Sequence, residues 1–185
     1  TATNISTALG TDYENLCVGG AKASSFRAEN NGGGSLTLGP DALSISNTID
    51  FAITNDLPNG GTISPGGVET FTIRFNPQSS GTKTATVTIR SDDADEDPYT
   101  FIVQGEGIPD PTISITGGGA TICTGESATL EANLGGGIGT CAVQWQSSPA
   151  GTNIWTNTVT GNSINPSPVA DTDYRAMYSC TGGGC

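Results

Sequence analysis

Two stretches of the chain alternate apolar and polar residues with a period of two, the spacing at which successive strand side chains face opposite sides of a sheet. In "VETFTIRFN", Phe71, Ile73 and Phe75 fall on one face and Thr70, Thr72 and Arg74 on the other. "TKTATVTIRS" sets Ala85, Val87 and Ile89 against Thr84, Thr86 and Thr88. The intervening "NPQSSG" holds Pro77, which fixes φ, and Gly81, which tolerates a positive φ, so the two runs are predicted to form a hairpin. "SSFRAEN", "SLTL", "DFAIT" and "YTFIVQGEG" give further strands, separated by the turn-rich "LPNGGTISPGG" and "SDDADEDPY".

After "GEG" comes "IPDP", whose prolines cannot donate ladder hydrogen bonds and push their neighbours extended, so residues 108–111 are expected to be a linker. Beyond it "TISIT", "SATLEAN", "AVQWQSS", "NIW", "NSINPS" and "DYRAMYS" recur at intervals of roughly 10–15 residues, the rhythm of a sandwich. Alternation places Ala128, Leu130 and Ala132, then Val143 and Trp145, then Tyr174, Ala176 and Tyr178 inside. A Trp four residues after Cys141 and a Tyr two residues before Cys180 fit strands C and F of an immunoglobulin-like domain. The expected fold is all-β: two tandem Ig-like β-sandwich domains over residues 10–107 and 112–185. The second shows six strands where a constant-type domain has seven, so its last strand is missing.

Without that strand, the edge of strand F presents unpaired N–H and C=O groups beside an open apolar slot. Residues 1–9 are a candidate donor strand, because in "TATNISTAL" Thr3, Ile5, Thr7 and Leu9 share one face. Donated to the second domain of a neighbouring unit, head to tail, such a strand makes a heterologous contact that grows into a fibre. The alternative is a covalent tandem repeat, in which the last residues run on into the next unit and produce the same contacts.

Composition sharpens the picture. Gly 27, Pro 10 and a single Met suit short strands and frequent turns. A net charge of -12 with six Lys plus Arg repels phosphate backbones and anionic lipid, which argues against nucleic acid and membrane-surface partners. No stretch approaches the roughly 18–20 apolar residues of a membrane span. Cations and other proteins are the expected partners.

The cysteines are Cys17, Cys123, Cys141, Cys180 and Cys185. With no His and no C-x-x-C spacing, disulfides are favoured over a zinc site. Alternating strand directions gather Cys141, Cys180 and Cys185 at one end of the second sandwich, where two of them are expected to pair. Cys123 falls at the other end, where the next unit's Cys17 is expected. Cys17 therefore has two readings, a Cys17–Cys123 bond between units or a buried free thiol.

The segment "TDYENLCVGG" followed by "ISPGGVETFTIRFNPQSSGTKTATVTIRSDDADEDPYTFIVQGEG" resembles the choice-of-anchor D repeat of secreted bacterial surface proteins, related to the ASPM/SPD-2/Hydin sandwiches. The resemblance covers about residues 9–107. Residues from "ICTGESATLEA" to the end resemble the Ig-like or PKD-like modules of Bacteroidetes surface proteins. It implies a secreted, cell-surface protein.

Candidate chemistry is sparse. The loop carboxylates Asp92, Asp93, Asp95 and Asp97, with Glu96, could gather oxygens for Ca2+, although the spacing is not that of an EF-hand; the plainer reading is a solvated loop that blocks edge pairing. The absence of His and of a G-x-S-x-G elbow speaks against an enzyme. Trp155, in "TNIWTN", is the candidate for stacking on a glycan. The expected function is a structural subunit of an extracellular bacterial filament, joined to itself by strand donation. The alternatives are a tandem segment of a large surface adhesin and a calcium- or glycan-binding accessory module.

Overall fold

The computed structural model describes residues 4–117, 122–137 and 139–181. They form two compact units, residues 1–109 and 110–185. All described regular structure is β. In the first unit the strands are β1 (Asp12–Cys17), β2 (Lys22–Glu29), β3 (Leu36–Ile45), β4 (Phe51–Asn55), β5 (Thr62–Ile63), β6 (Val68–Phe75), β7 (Gly81–Ser91) and β8 (Tyr99–Ile108). They make a five-stranded sheet, β1-β8-β7-β3-β5, facing a three-stranded sheet, β2-β6-β4. Phe51, Phe71, Ile73 and Phe75 from one sheet meet Leu38, Val87, Phe101 and Val103 from the other in the core, with Tyr13.

The face assignments of the two long alternating runs hold, and the hairpin does not. β6 pairs with β2 and β4, whereas β7 pairs with β3 and β8, so the chain crosses from one sheet to the other between them. Asn76–Ser80 is an arch held by neighbouring loops: the Asn76 N–H donates to Asp50 O, the Gln78 N–H to Asp50 Oδ1, and the Gly19 N–H to Pro77 O. Period-two alternation reports which face is buried and is silent about the partner. β1, absent from the expected strands, pairs in parallel with β8.

In the second unit the strands are β9 (Thr112–Thr116), β10 (Leu130–Gly135), β11 (Cys141–Pro149), β12 (Thr156–Thr160), β13 (Ser163–Ile164) and β14 (Thr172–Cys180). "NIW" is irregular, and the strand starts just after it. The sheets are β13-β10-β9 and β12-β11-β14, all pairs antiparallel. Fully buried Trp145 centres the core with Leu130, Ala132, Val143 and Ile164, and its Nε1–H donates to Gly161 O at 2.9 Å. Among the described residues of this unit, six strands in two sheets make an Ig-like sandwich.

Candidate functional site: the open flank of the second sandwich

Strand pairing defines which side chains should be hidden. Val143 and Trp145 point into the core, and their directly opposite partners on β14 are Tyr178 and Ala176; Ser147 stands opposite Tyr174. Opposed residues share a face, so Tyr174, Ala176 and Tyr178 point inward. On β9, Ile113 and Ile115 stand opposite Leu134 and the buried Ala132, so they too face the core. Yet Ile115 is 42% exposed and Tyr178 37%. Inward-facing side chains remain wet because the sandwich is open along the flank between β9 and β14.

The same flank carries an unpaired backbone edge. Among the described residues β14 pairs with no strand but β11, and β9 with none but β10. A cavity of about 600 Å³ lies at the start of β14, lined by Ile115, Ala128, Leu130, Pro168, Ala170 and Tyr174 among others. Asp171 and Asp173 also line it. At the other end of the flank the Tyr178 hydroxyl donates to Pro111 O at 3.0 Å. Drying the exposed parts of Ile115 and Tyr178 is worth roughly 1 kcal/mol each. An extended segment is the shape that satisfies both the edge and the slot. Sequence reasoning named Tyr174 and Tyr178 but missed Ile115, which the alternation of "TISIT" already displayed.

Residues 4–9, the candidate donor, are not a strand in their own chain. Residues 7–10 form a turn, in which the Leu9 N–H donates to Ser6 O, the Gly10 N–H to Thr7 O, and both the Thr11 and Asp12 N–H groups to Ser6 O. Buried Thr11 organises it: its hydroxyl donates toward Asn4 O at 3.0 Å and accepts the Ser6 N–H at 2.9 Å. Leu9 nevertheless stays outside the core, 56% exposed. Thr3 lies outside the described residues.

One disulfide joins Cys141 to Cys180, directly opposed on β11 and β14. Cys17 is disulfide-bonded, which differs from its reading as a buried free thiol, and Cys123 is exposed with a free thiol. Cys185 lies outside the described residues.

The acidic loop turns its carboxylates on its own backbone and its neighbours. The Thr37 N–H, 2.7 Å from Asp92 Oδ1, holds the Asp92 carboxyl below its ordinary value. Asp97 Oδ1 accepts the Ser91 N–H and Asp93 Oδ1 the Asp95 N–H. Among the described residues no three acidic or thiol side chains converge to hold a metal, so Asp92, Asp93, Asp95 and Asp97 are not gathered as a calcium site. Asp93 and Glu96 instead line a cleft of about 440 Å³ with Leu36, Ile89 and Tyr99.

Trp155 is half-buried, with the Arg175 guanidinium carbon 4.3 Å from its ring centroid. Gln146 Oε1 accepts the Arg175 Nε–H at 2.6 Å and fixes that cation in place. One face of the indole is therefore covered from within, which leaves less of it for a sugar than "TNIWTN" suggests.

No protein-family model matches the chain, and no curated protein matches it. Solved structures that resemble it include the ASH/PapD-like domain 7 of human CEP192, with 16% identity over 54% of this chain and 82% of that one, at a TM-score of 0.39. DIP-gamma IG1+IG2 is 10% identical over 94% of this chain and 89% of that one, at 0.47. The secreted serine protease VesC from Vibrio cholerae is 12% identical, at 0.43; the match covers 90% of this chain and 44% of that protein.

Proposed function

We propose that the chain is a structural, non-catalytic building block of an extracellular bacterial surface filament, with copies joined head to tail by strand addition at β14. The observation that carries this reading is the exposure of inward-facing Ile115 and Tyr178 beside the unpaired edge of β14. A strand laid there pairs the edge and dries both side chains, as in other cases of β-augmentation. The donor is Asn4–Leu9 of a neighbouring copy, which carries no charged side chain and leaves Leu9 uncommitted to its own core. Opening the turn at residues 6–12 gives up four backbone hydrogen bonds and regains a similar number along β14. The Cys141–Cys180 bond suits an oxidising compartment, in keeping with the resemblance to the choice-of-anchor D repeats of secreted surface proteins.

Deleting residues 1–9 tests the reading. Electron microscopy and light scattering of the full chain should show concentration-dependent polymers, and the truncated chain should stay monomeric. Polymers that persist without residues 1–9, or a full chain that never associates, overturn it.

A further inference from the structure

The flank specifies more than the presence of a strand. Resting on the strand-donation reading above, we infer that the donor runs antiparallel to β14 with Leu9 opposite Tyr174, Thr7 opposite Ala176 and Ile5 opposite Tyr178. Leu9 is then the anchor, lodged in the cavity at the start of β14.

Spacing, side-chain size and depth agree on this register. The two large inward residues of β14, Tyr174 and Tyr178, are four apart with Ala176 between them; Ile5 and Leu9 are four apart with the smaller Thr7 between them. The flank is deepest near Tyr174, where Ile115, Ala128 and Leu130 line a void of about 600 Å³, and an unbranched-at-Cβ leucine reaches into such a space better than an isoleucine. Near Tyr178 the ring is tethered to Pro111 O, which leaves a shallower site for Ile5. Sliding the donor by two residues either sets polar Thr7 over the void or brings Leu9 against Ala176 and leaves the void empty. A parallel donor keeps the four-residue spacing but exchanges the two anchors. It also departs from the antiparallel pairing of every other described strand pair in this unit. Asp171 and Asp173 are among the cavity's lining residues and disfavour an acidic occupant, and residues 4–9 carry no charge.

The inferred register puts outward-facing Ser6 opposite outward-facing Met177, so cysteines there probe it without entering either core. Full-length Met177→Cys is mixed with Ser6→Cys, Ala8→Cys or Asn4→Cys, every variant also carrying Cys123→Ser, and oxidised cross-linked dimers are followed on non-reducing gels. Ser6→Cys should link about tenfold faster than the other two, because opposed residues come within disulfide reach and residues two along do not. Fastest linking from Ala8→Cys means either a parallel donor or an antiparallel one slid so that Leu9 meets Ala176, and from Asn4→Cys an antiparallel donor slid so that Thr7 meets Tyr174; any of these overturns the register while strand donation stands. If no variant links although wild-type copies still associate, the donor is another segment and the strand-donation reading itself falls. Leu9→Ala is the second measurement: exposed Leu9 contributes little to its own unit, so the melting temperature should hold while association weakens about tenfold or more. Unchanged association removes Leu9 as the anchor.

Discussion

Tyr13 shows how much one side chain carries in a chain with few aromatic residues. It is wholly buried, packs edge-on against Phe51 at 5.9 Å between centroids, and donates its hydroxyl to Ile73 O at 2.7 Å. Burial pushes its pKa from 10.0 to about 12. Below about pH 10 the tyrosine is neutral in both folded and unfolded chains, and its contribution is fully present. Between 10 and 12 the unfolded chain loses the proton and the folded chain keeps it, so stability falls with a slope of about 1.4 kcal/mol per pH unit. Urea midpoints measured from neutral pH to about pH 11.5 should therefore drop in the wild type. Tyr13→Phe should start roughly 1 kcal/mol lower at neutral pH, having lost the hydrogen bond, and then decline less steeply. Parallel declines would show that Tyr13 is not the group responsible. Nothing in "TDYENLC" marks Tyr13 as a core residue, because its strand is short and the buried neighbours that desolvate it come from elsewhere in the chain.

At the scale of elements, the glycines of β8 let the two sheets of the first unit approach each other closely. A Cβ on Gly105 would collide with the Phe75 ring, and one on Gly107 with Ser79 O, so the "GEG" of the sequence is a pair of missing side chains that lets β6 and its arch lie against β8. Gly105→Ala should cost roughly 1–3 kcal/mol by overpacking, whereas Gly33→Ala, which meets nothing within 4 Å, should leave the melting temperature nearly unchanged. Equal effects at both positions would remove the packing argument. What the sequence revealed and what it hid divide along the same line. Faces were legible: Phe71, Ile73, Phe75, Val143, Trp145 and Ala176 all point as their alternation requires. Partners were not, since "NPQSSG" reads equally well as a hairpin turn and as the arch that it is. Among Cys141, Cys180 and Cys185 the pairing was open until β11 and β14 fixed Cys141 against Cys180. Residues 4–9 alternate like a strand, but alternation has no force against the buried Thr11 hydroxyl, which folds them into a turn within their own chain.

At the scale of the whole molecule, charge and shape pull against each other. Each copy carries a net charge of -12, so copies approaching head to tail repel. In the proposed joint the donor, residues 4–9, is uncharged, and the lining of the cavity it enters carries Asp171 and Asp173. The joint's favourable terms are apolar burial and backbone pairing, which salt does not screen, while the opposing term is long-range repulsion, which salt does. Association should therefore strengthen and quicken as NaCl rises from about 20 mM to about 500 mM, over which the Debye length contracts from about 20 Å to about 4 Å. A joint held by cross-copy ion pairs behaves in the opposite way and loosens over the same range. With no His in the chain, the response should also be nearly flat between about pH 6 and pH 7. Light scattering across a salt series at constant protein concentration distinguishes the cases: polymers that dissolve at high salt would place the joint on a charged surface instead of the β14 flank.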